Sequence, residues 1–321
     1  MLPPSCSRLL FASSLAAALF PAACRAAEHA PLEDWQVVSR GRVTVLFQAA
    51  DRTAGARVLE IAAPTAARLS AELGDRASSA LRVIIAPTDA EFTWLGGGRI
   101  PDWGVGWADP ERSLVVLKSP RIVAYPLQME DVVVHELAHV ATGRVLGDMR
   151  VPRWFEEGVA MAMAGEGVGG ETALGAAAVA GTTYPLAAIG DEFPASARGA
   201  ALAYAESHEA VKFLMLEGGI RTEADLVRAV AAEQDFAAAV LRISGRTPRE
   251  FDADFRAHVR RSRGWVVVLQ GAGAVMLAAT AVFGVAAVWR MRRTRRRMRE
   301  LEAEDRLRPP RGRARTGSSW A

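Results

Sequence analysis

Residues 132–139 read Val-Val-Val-His-Glu-Leu-Ala-His, and this stretch decides the fold more than any other. It lies in a helix predicted over 131–146, which follows a region where strand and helix patterns alternate. Histidines four residues apart on a helix project from the same face, so His135 and His139 can reach one metal ion. Between them, Glu136 can take a proton from a nearby water molecule without being a ligand.

The region before this helix predicts a mixed sheet with helices packed on it. The last two strand patterns are separated by Asp109-Pro110-Glu111-Arg112, a composition that suits a hairpin connection. Strands are predicted at 43–47, 81–86, 104–108 and 113–117, and helices at 53–73 and 88–95.

The region after residue 130 is almost wholly helical in its pattern. Residues 165–182, rich in Gly and Ala, are expected to form a loop bordering the site or an irregular connection. Helices are predicted at 152–164 and 201–216. Two more are predicted, one capped by Thr222 and one starting at Thr247 with Pro248 in the first helical position. The fold class is therefore α+β, with a sheet lobe over 28–130 and a helical lobe over 131–263.

The first 27 residues predict a secretory signal peptide, because Arg8 precedes an apolar run from Leu9 to Phe20 and small residues end at Ala27. Lipidation at Cys24 is the alternative, although a proline three residues before it, Pro21, makes a poor signal. Both cysteines of the chain, Cys6 and Cys24, lie in this segment. Cleavage would remove them, which excludes a thiolate metal site or a cysteine nucleophile.

Residues 264–289 carry no charge and are long enough to span a bilayer, which predicts a transmembrane helix over 265–289. The tail 290–321 is rich in arginine, so it is expected to be cytoplasmic and to leave residues 28–263 outside the cytoplasm. This tail also explains the formal net charge of +3. Its position next to the membrane favours topology and lipid contact over nucleic-acid binding.

A catalytic zinc site needs a third protein ligand and one open position. The segment 152–160, Pro-Arg-Trp-Phe-Glu-Glu-Gly-Val-Ala, offers two carboxylates, Glu156 and Glu157. A turn over 147–151 can bring this second helix back over the first. One carboxylate of the two is expected to be a solvated residue of a helix start, which the helix dipole favours.

The sequences HELAH and WFEEGVA resemble the gluzincin peptidases, and the overall layout resembles the bacterial peptidase MA-like family. The resemblance covers roughly residues 80–260. It implies a zincin-like fold, bound Zn²⁺ and metallopeptidase activity. In that family a glutamate before glycine on the following helix completes the metal site, which implies that Glu157 is the third ligand.

The same resemblance implies a role for Tyr204, since a tyrosine at the start of a comparable helix binds the tetrahedral intermediate in the aminopeptidase branch. A phenol aimed at the developing oxyanion is the physical requirement. Tyr204 as a packing residue and His208 as the donor remain open alternatives. The family's amine-binding glutamate is missing from Gly104-Val105-Gly106-Trp107-Ala108. We therefore expect an endopeptidase rather than an aminopeptidase, with this strand as an edge for an extended peptide.

The predicted function is a membrane-anchored zinc peptidase that acts on proteins or peptides outside the cytoplasm. One alternative is a non-catalytic binding or assembly module of the cell envelope, and another is a sensor that signals through its tail. Glu136 argues against the module, because a structural zinc site has no need of it. The substrate and the oligomeric state do not follow from the sequence.

Overall fold

The computed structural model describes residues 35–96, 104–125, 128–165 and 171–307, and only the backbone of 171–172, 263–278 and 300–307. The predicted signal peptide, 1–27, and the end of the tail, 308–321, lie outside the described residues.

A five-stranded mixed sheet forms the first part of the described chain, in the order β1-β2-β3-β5-β4. The three central strands β2, β3 and β5 are parallel, and the edge strands β1 and β4 are antiparallel to their neighbours. A tight turn with Ser113 at φ 55° joins β4 to β5, as the hairpin prediction required. The strands are β1 Trp35–Arg40, β2 Val43–Gln48, β3 Leu81–Ala86, β4 Gly106–Asp109 and β5 Leu114–Lys118.

Helices make up nearly all of the described chain after the sheet, and caps fix several of their starts. The Thr222 side chain, for example, accepts a hydrogen bond from the backbone N–H of Asp225. The helices are α1 Arg52–Leu73, α2 Asp89–Leu95, α3 Met129–Leu146, α4 Arg153–Ala164, α5 Glu171–Ala180, α6 Ala197–Glu217, α7 Glu223–Ala231, α8 Phe236–Ser244 and α9 Pro248–Leu307.

The sheet is buried on both faces, as expected for central parallel strands. Val45, Val83 and Val115 point to one face, where they join the main core with residues of α1, α3 and the later helices. Their neighbours Ile84 and Val116 point to the other face and form a smaller core with Phe92 of α2 and other side chains. Side chains on the first face of the sheet pack against α3 in the main core. This packing places α3, which carries the histidines, beside the hairpin of β4 and β5.

The α+β fold and most predicted elements are confirmed. The loop expected over 165–182 is wrong for Glu171–Ala180, which is helix α5. Leu174 and Ala178, one helical turn apart, are buried there, so tertiary packing holds the alanine-rich segment as a helix. Strand β1 and helix α8 were not predicted.

Two compact units divide the chain, one ending at Gly264 and one starting at Trp265. The predicted transmembrane segment, 265–289, falls in the second unit, and its side chains up to residue 278 lie outside the described residues. A search of the described residues finds no helix with the length and apolar character that crossing a membrane requires.

Candidate metal centre

Two histidines of α3 face each other across one turn of the helix. The Nε2 atoms of His135 and His139 are 3.0 Å apart, and the two rings meet edge to face with centroids 4.7 Å apart. Both side chains are partly buried, whereas Val133 and Leu137 of the same helix lie in the main core. The core therefore fixes the direction in which the imidazoles point.

Glu157 enters the site from α4. Gly147, at φ +61°, ends α3 in a conformation that favours glycine, and the chain then turns back into α4. The Oε2 atom of Glu157 lies 3.4 Å from Nε2 of His135 and 3.4 Å from Nε2 of His139. The turn predicted over 147–151 thus brings the third side chain to the pair.

The three ligating atoms fit a zinc ion. Zinc bound at about 2.0–2.1 Å in tetrahedral geometry separates its ligand atoms by about 3.3 Å. The separations of 3.0, 3.4 and 3.4 Å among His135, His139 and Glu157 agree with that value. These three side chains also form the potential metal-binding group found among the described residues. Two imidazoles and one carboxylate are a donor set that suits zinc.

Burial distinguishes the two glutamates that the sequence left open. Glu157 is buried and points to the histidines, whereas Glu156 is exposed. Burial alone would raise the pKa of Glu157, but the hydrogen bonds from His135 and His139 outweigh it and hold that pKa well below its usual range. The geometry therefore brings an ionised Glu157 to the histidine pair, as predicted.

Glu136 is buried against the edge strand β4. A Cβ atom on Gly106 would overlap the Glu136 carboxylate, so a larger residue there would force the Glu136 side chain to move. A second close contact lies two turns further along the same face of α3, where a Cβ on Gly143 would overlap the ring of Pro110 in the same hairpin. The hairpin thus packs directly along the Glu136 face of α3.

Helix α6 approaches α4 as closely as backbones allow. A Cβ on Gly158 would overlap the backbone carbonyl of Ser207, so the glycine that follows Glu157 serves helix packing. Tyr204 lies one turn before Ser207 and is partly buried. The close approach brings Tyr204 towards the metal-binding side chains.

The Tyr204 side chain lies within electrostatic reach of the site. Burial raises its pKa, and the nearby charges of Glu157 and Glu136 raise it further, against the effect of Arg153. Its phenol therefore stays protonated at neutral pH and can donate a hydrogen bond. His208, the alternative donor, is also buried on α6, one turn further along.

Two residues near the site were missed from the sequence. Arg153 Nε lies 3.3 Å from Oε1 of Glu157, and its guanidinium stacks on the ring of Phe193 at 4.8 Å. Phe193 in turn meets Tyr204 edge to face at 4.9 Å. The spacing of Arg153 and Glu157, four residues apart on a helix, is a signal that could have revealed the first of them.

The chain combines a mixed sheet with a helix that presents two histidines on one face, and the match to a family model supports a zincin-like peptidase superfamily. The chain belongs to the Peptidase MA superfamily, whose model matches residues 91–261, more than half of the sequence. Proteins of this superfamily are generally zinc-dependent peptidases. Comparison with curated proteins gives no match.

Proposed function

We propose that this chain is a zinc-dependent peptidase of the gluzincin type, and an endopeptidase rather than an aminopeptidase. The observation that carries the proposal is the triangle of His135 Nε2, His139 Nε2 and Glu157 Oε2, with edges of 3.0–3.4 Å. These three side chains would hold the ion. When bound, zinc supplies a Lewis acid and makes a water molecule easier to deprotonate at neutral pH.

Glu136 is the proton carrier in this proposal. Its carboxylate lies on the same helix as the two histidines and is buried between α3 and β4, so it is held in place without taking part in the triangle. It accepts the proton of the attacking water and passes it to the nitrogen of the leaving amine. Substrate carbonyl and water must both approach within hydrogen-bond distance of its oxygen atoms.

Tyr204 is proposed to donate a hydrogen bond to the oxygen that becomes negative as the peptide carbonyl is attacked. A donor in this place must keep its proton while a carboxylate lies nearby. The raised pKa of Tyr204, caused first by burial and then by Glu157 and Glu136, meets that condition.

The edge strand β4 supports endopeptidase activity. It pairs only on one side with β5 among the described strands, and it lies beside Glu136. An extended peptide can add to such an edge by backbone hydrogen bonds. Residues 104–108 carry no carboxylate to bind a free amino terminus, so a peptide can continue past the site in both directions.

We also propose that the peptidase domain lies outside the cytoplasm, anchored by residues 265–289 with a cytoplasmic tail. The support is the sequence alone: a signal-like start, an uncharged segment and arginines after it. Loss of residues 1–27 leaves no cysteine, so single cysteines can report topology. A membrane-impermeant maleimide should label Arg242→Cys in cells with an intact cytoplasmic membrane, and Thr294→Cys only after lysis. The reverse pattern would exclude this topology.

The decisive experiment compares Glu136→Gln with wild type in the full chain, using metal analysis and cleavage of an unfolded protein. Both are expected to bind one zinc ion per chain, and the variant should lose activity by about 10²–10⁴-fold. Glu156→Gln, which changes an exposed glutamate beside the ligand, is the matched control and should stay active. Full activity of Glu136→Gln would refute the mechanism. A zinc-loaded wild type that cleaves nothing would favour the binding or assembly module.

A further inference from the structure

The Glu157 carboxylate divides its two oxygen atoms between different partners. Oε2 faces the histidine nitrogens at 3.4 Å each, and Oε1 lies 3.3 Å from Nε of Arg153. A carboxylate on zinc can bind through one oxygen or through both. Here the second oxygen already has a cationic hydrogen-bond donor, and such charge-assisted bonds are the strong ones.

Arg153 is itself held from three sides. Its backbone N–H donates to the carbonyl of Gly190 at 2.6 Å, which ties the start of α4 to the segment before α6. Its guanidinium lies on the Phe193 ring at 4.8 Å and also bonds to Tyr204. A guanidinium fixed by stacking and by two polar partners has few alternative rotamers, so it can fix the carboxylate it touches.

We propose that Arg153 is a positioning residue that restricts Glu157 to binding the metal through Oε2 alone. The inference rests on the proposed metal site and adds a residue to it. Binding through both oxygens would draw Oε1 towards the ion and bring the positive charge of the metal towards the guanidinium, which weakens the bond between Oε1 and Arg153. Arg153 therefore keeps one coordination position open for water and substrate.

The same residue connects Glu157 to Tyr204. The guanidinium bonds to Glu157 and stacks on Phe193, and the Phe193 ring meets Tyr204 at 4.9 Å, so the third ligand and the phenol donor are set relative to each other. Loss of Arg153 is expected to disturb both, whereas loss of a surface arginine should disturb neither. The chain offers such a control in Arg68, which pairs with Glu72 at 3.2 Å and at the same four-residue spacing on α1.

The test uses the full chain as wild type, Arg153→Met, Arg153→Lys and the control Arg68→Met. Zinc affinity is measured by competition with a chelator, and the metal geometry by the visible spectrum after cobalt substitution. Four-coordinate cobalt absorbs more strongly than five-coordinate cobalt, so the spectrum reports whether Glu157 gains a second bond. Circular dichroism and thermal unfolding confirm that each variant folds.

We expect Arg153→Met to bind zinc about 10–100-fold more weakly than wild type, the usual effect of removing a partner of a metal ligand. Its cobalt spectrum should weaken towards the five-coordinate form. Arg153→Lys retains a positive charge next to Oε1, so its zinc affinity and its cobalt spectrum should lie between those of wild type and Arg153→Met. Arg68→Met should match wild type in both measurements. Arg153→Gln replaces the methionine variant if that variant does not fold, with the same expectations.

Unchanged zinc affinity and an unchanged cobalt spectrum in Arg153→Met would overturn the inference. Neither measurement uses peptide cleavage, so the two proposals fail separately. A wild type that binds zinc but cleaves nothing defeats the proposed function and leaves the role of Arg153 intact. If the wild type cleaves peptides and Arg153→Met equals it in zinc affinity and cobalt spectrum, the proposed function stands and the role of Arg153 is refuted.

Discussion

Asp51 and Glu157 are both buried carboxylates that bond to an arginine, yet their surroundings differ in kind. Asp51 accepts hydrogen bonds from Ser119 Oγ at 2.6 Å and from Arg121 at 2.8 and 3.0 Å. Every one of these partners is a donor. Glu157 meets one arginine, and its other oxygen faces two imidazole nitrogens that lie 3.0 Å from each other.

The difference distinguishes a carboxylate whose partners are all donors from the carboxylate of the proposed metal site. Burial alone would raise the pKa of Asp51, but the hydrogen bonds from Arg121 and Ser119 outweigh it and keep the group ionised. Its network is complete within the protein. Around Glu157 a carboxylate and two imidazole nitrogens converge on one point, and in the proposed site these three atoms would hold a cation once both nitrogens have given up their protons. Burial and an arginine are common to both regions, so neither identifies a site.

The largest effect is expected at Glu157. Substitution by Gln removes the negative ligand, and zinc affinity should fall by more than about 100-fold, beyond the range seen for partners outside the ligand set. Hydrolysis should fall with it. Chelator competition and metal content measure the effect, with Glu156→Gln as the neighbouring control, which should change zinc affinity far less because it removes only a nearby charge. A Glu157→Gln chain that keeps wild-type zinc affinity would show that the triangle is not the metal site.

Asp51→Asn should have the opposite profile, a loss of stability with the metal retained. The amide leaves the partly exposed Arg121 guanidinium without its charge partner, which is expected to cost about 1.5–3 kcal/mol of unfolding free energy. Urea unfolding in the presence of chelator measures this cost. Zinc content should remain that of wild type. A loss of zinc in a folded Asp51→Asn chain would show that Asp51 does not have a purely structural role.

Glu206 extends the comparison as a third buried carboxylate, whose effect depends on pH. Burial raises its pKa to about 8, against the hydrogen bond from the backbone N–H of Tyr184; Asp252 raises the pKa further and Arg256 lowers it. The folded chain therefore holds this proton more tightly than the unfolded chain. The contribution of Glu206 to the free energy of unfolding should fall as pH rises from about 4.5 towards 8, at most by about 1.4 kcal/mol per pH unit.

Glu206→Gln resembles the protonated form at every pH, so it should remove that dependence. The gain in unfolding free energy over wild type is expected to be near zero at pH 4, below the unfolded pKa of about 4.5, and to grow up to pH 8. Parallel urea titrations of the two chains with chelator present test this, because the difference between them cancels the other titrating groups. A constant difference across pH would show that Glu206 is ionised throughout.

Much of the fold followed from local pattern. The strand Leu81–Ala86 and helix α3 combine strong periodicity with clear ends, so their bounds matched or lay within two residues. Strand β1 carries only a weak alternation and owes its form to pairing with β2 over six residues. Helix α5 follows a glycine-rich stretch, and burial of Leu174 and other residues decides its conformation. Such tertiary effects are not visible in a short window of sequence.

The candidate site also contains residues that local sequence predicts and residues that only tertiary packing brings together. His135, Glu136 and His139 share one helix, so local spacing was enough to predict them. The choice between Glu157 and Glu156 depends on how α4 lies over α3; spacing left it open, the family resemblance favoured Glu157, and the burial of Glu157 beside the histidines supports that prediction. Phe193 comes from a segment between helices, and its contact with Arg153 arises only from the packed structure.

The contact between Gly158 and the Ser207 carbonyl has a practical consequence for redesign. The main chain of Ser207, together with the side chain of Val211, sets the spacing between α4 and α6 at this point. Trimming neighbouring side chains would therefore not bring the two helices closer, and enlarging Gly158 would force them apart. Efforts to change which peptides the enzyme accepts have more freedom in the β4 hairpin and around Phe193 than at this crossing.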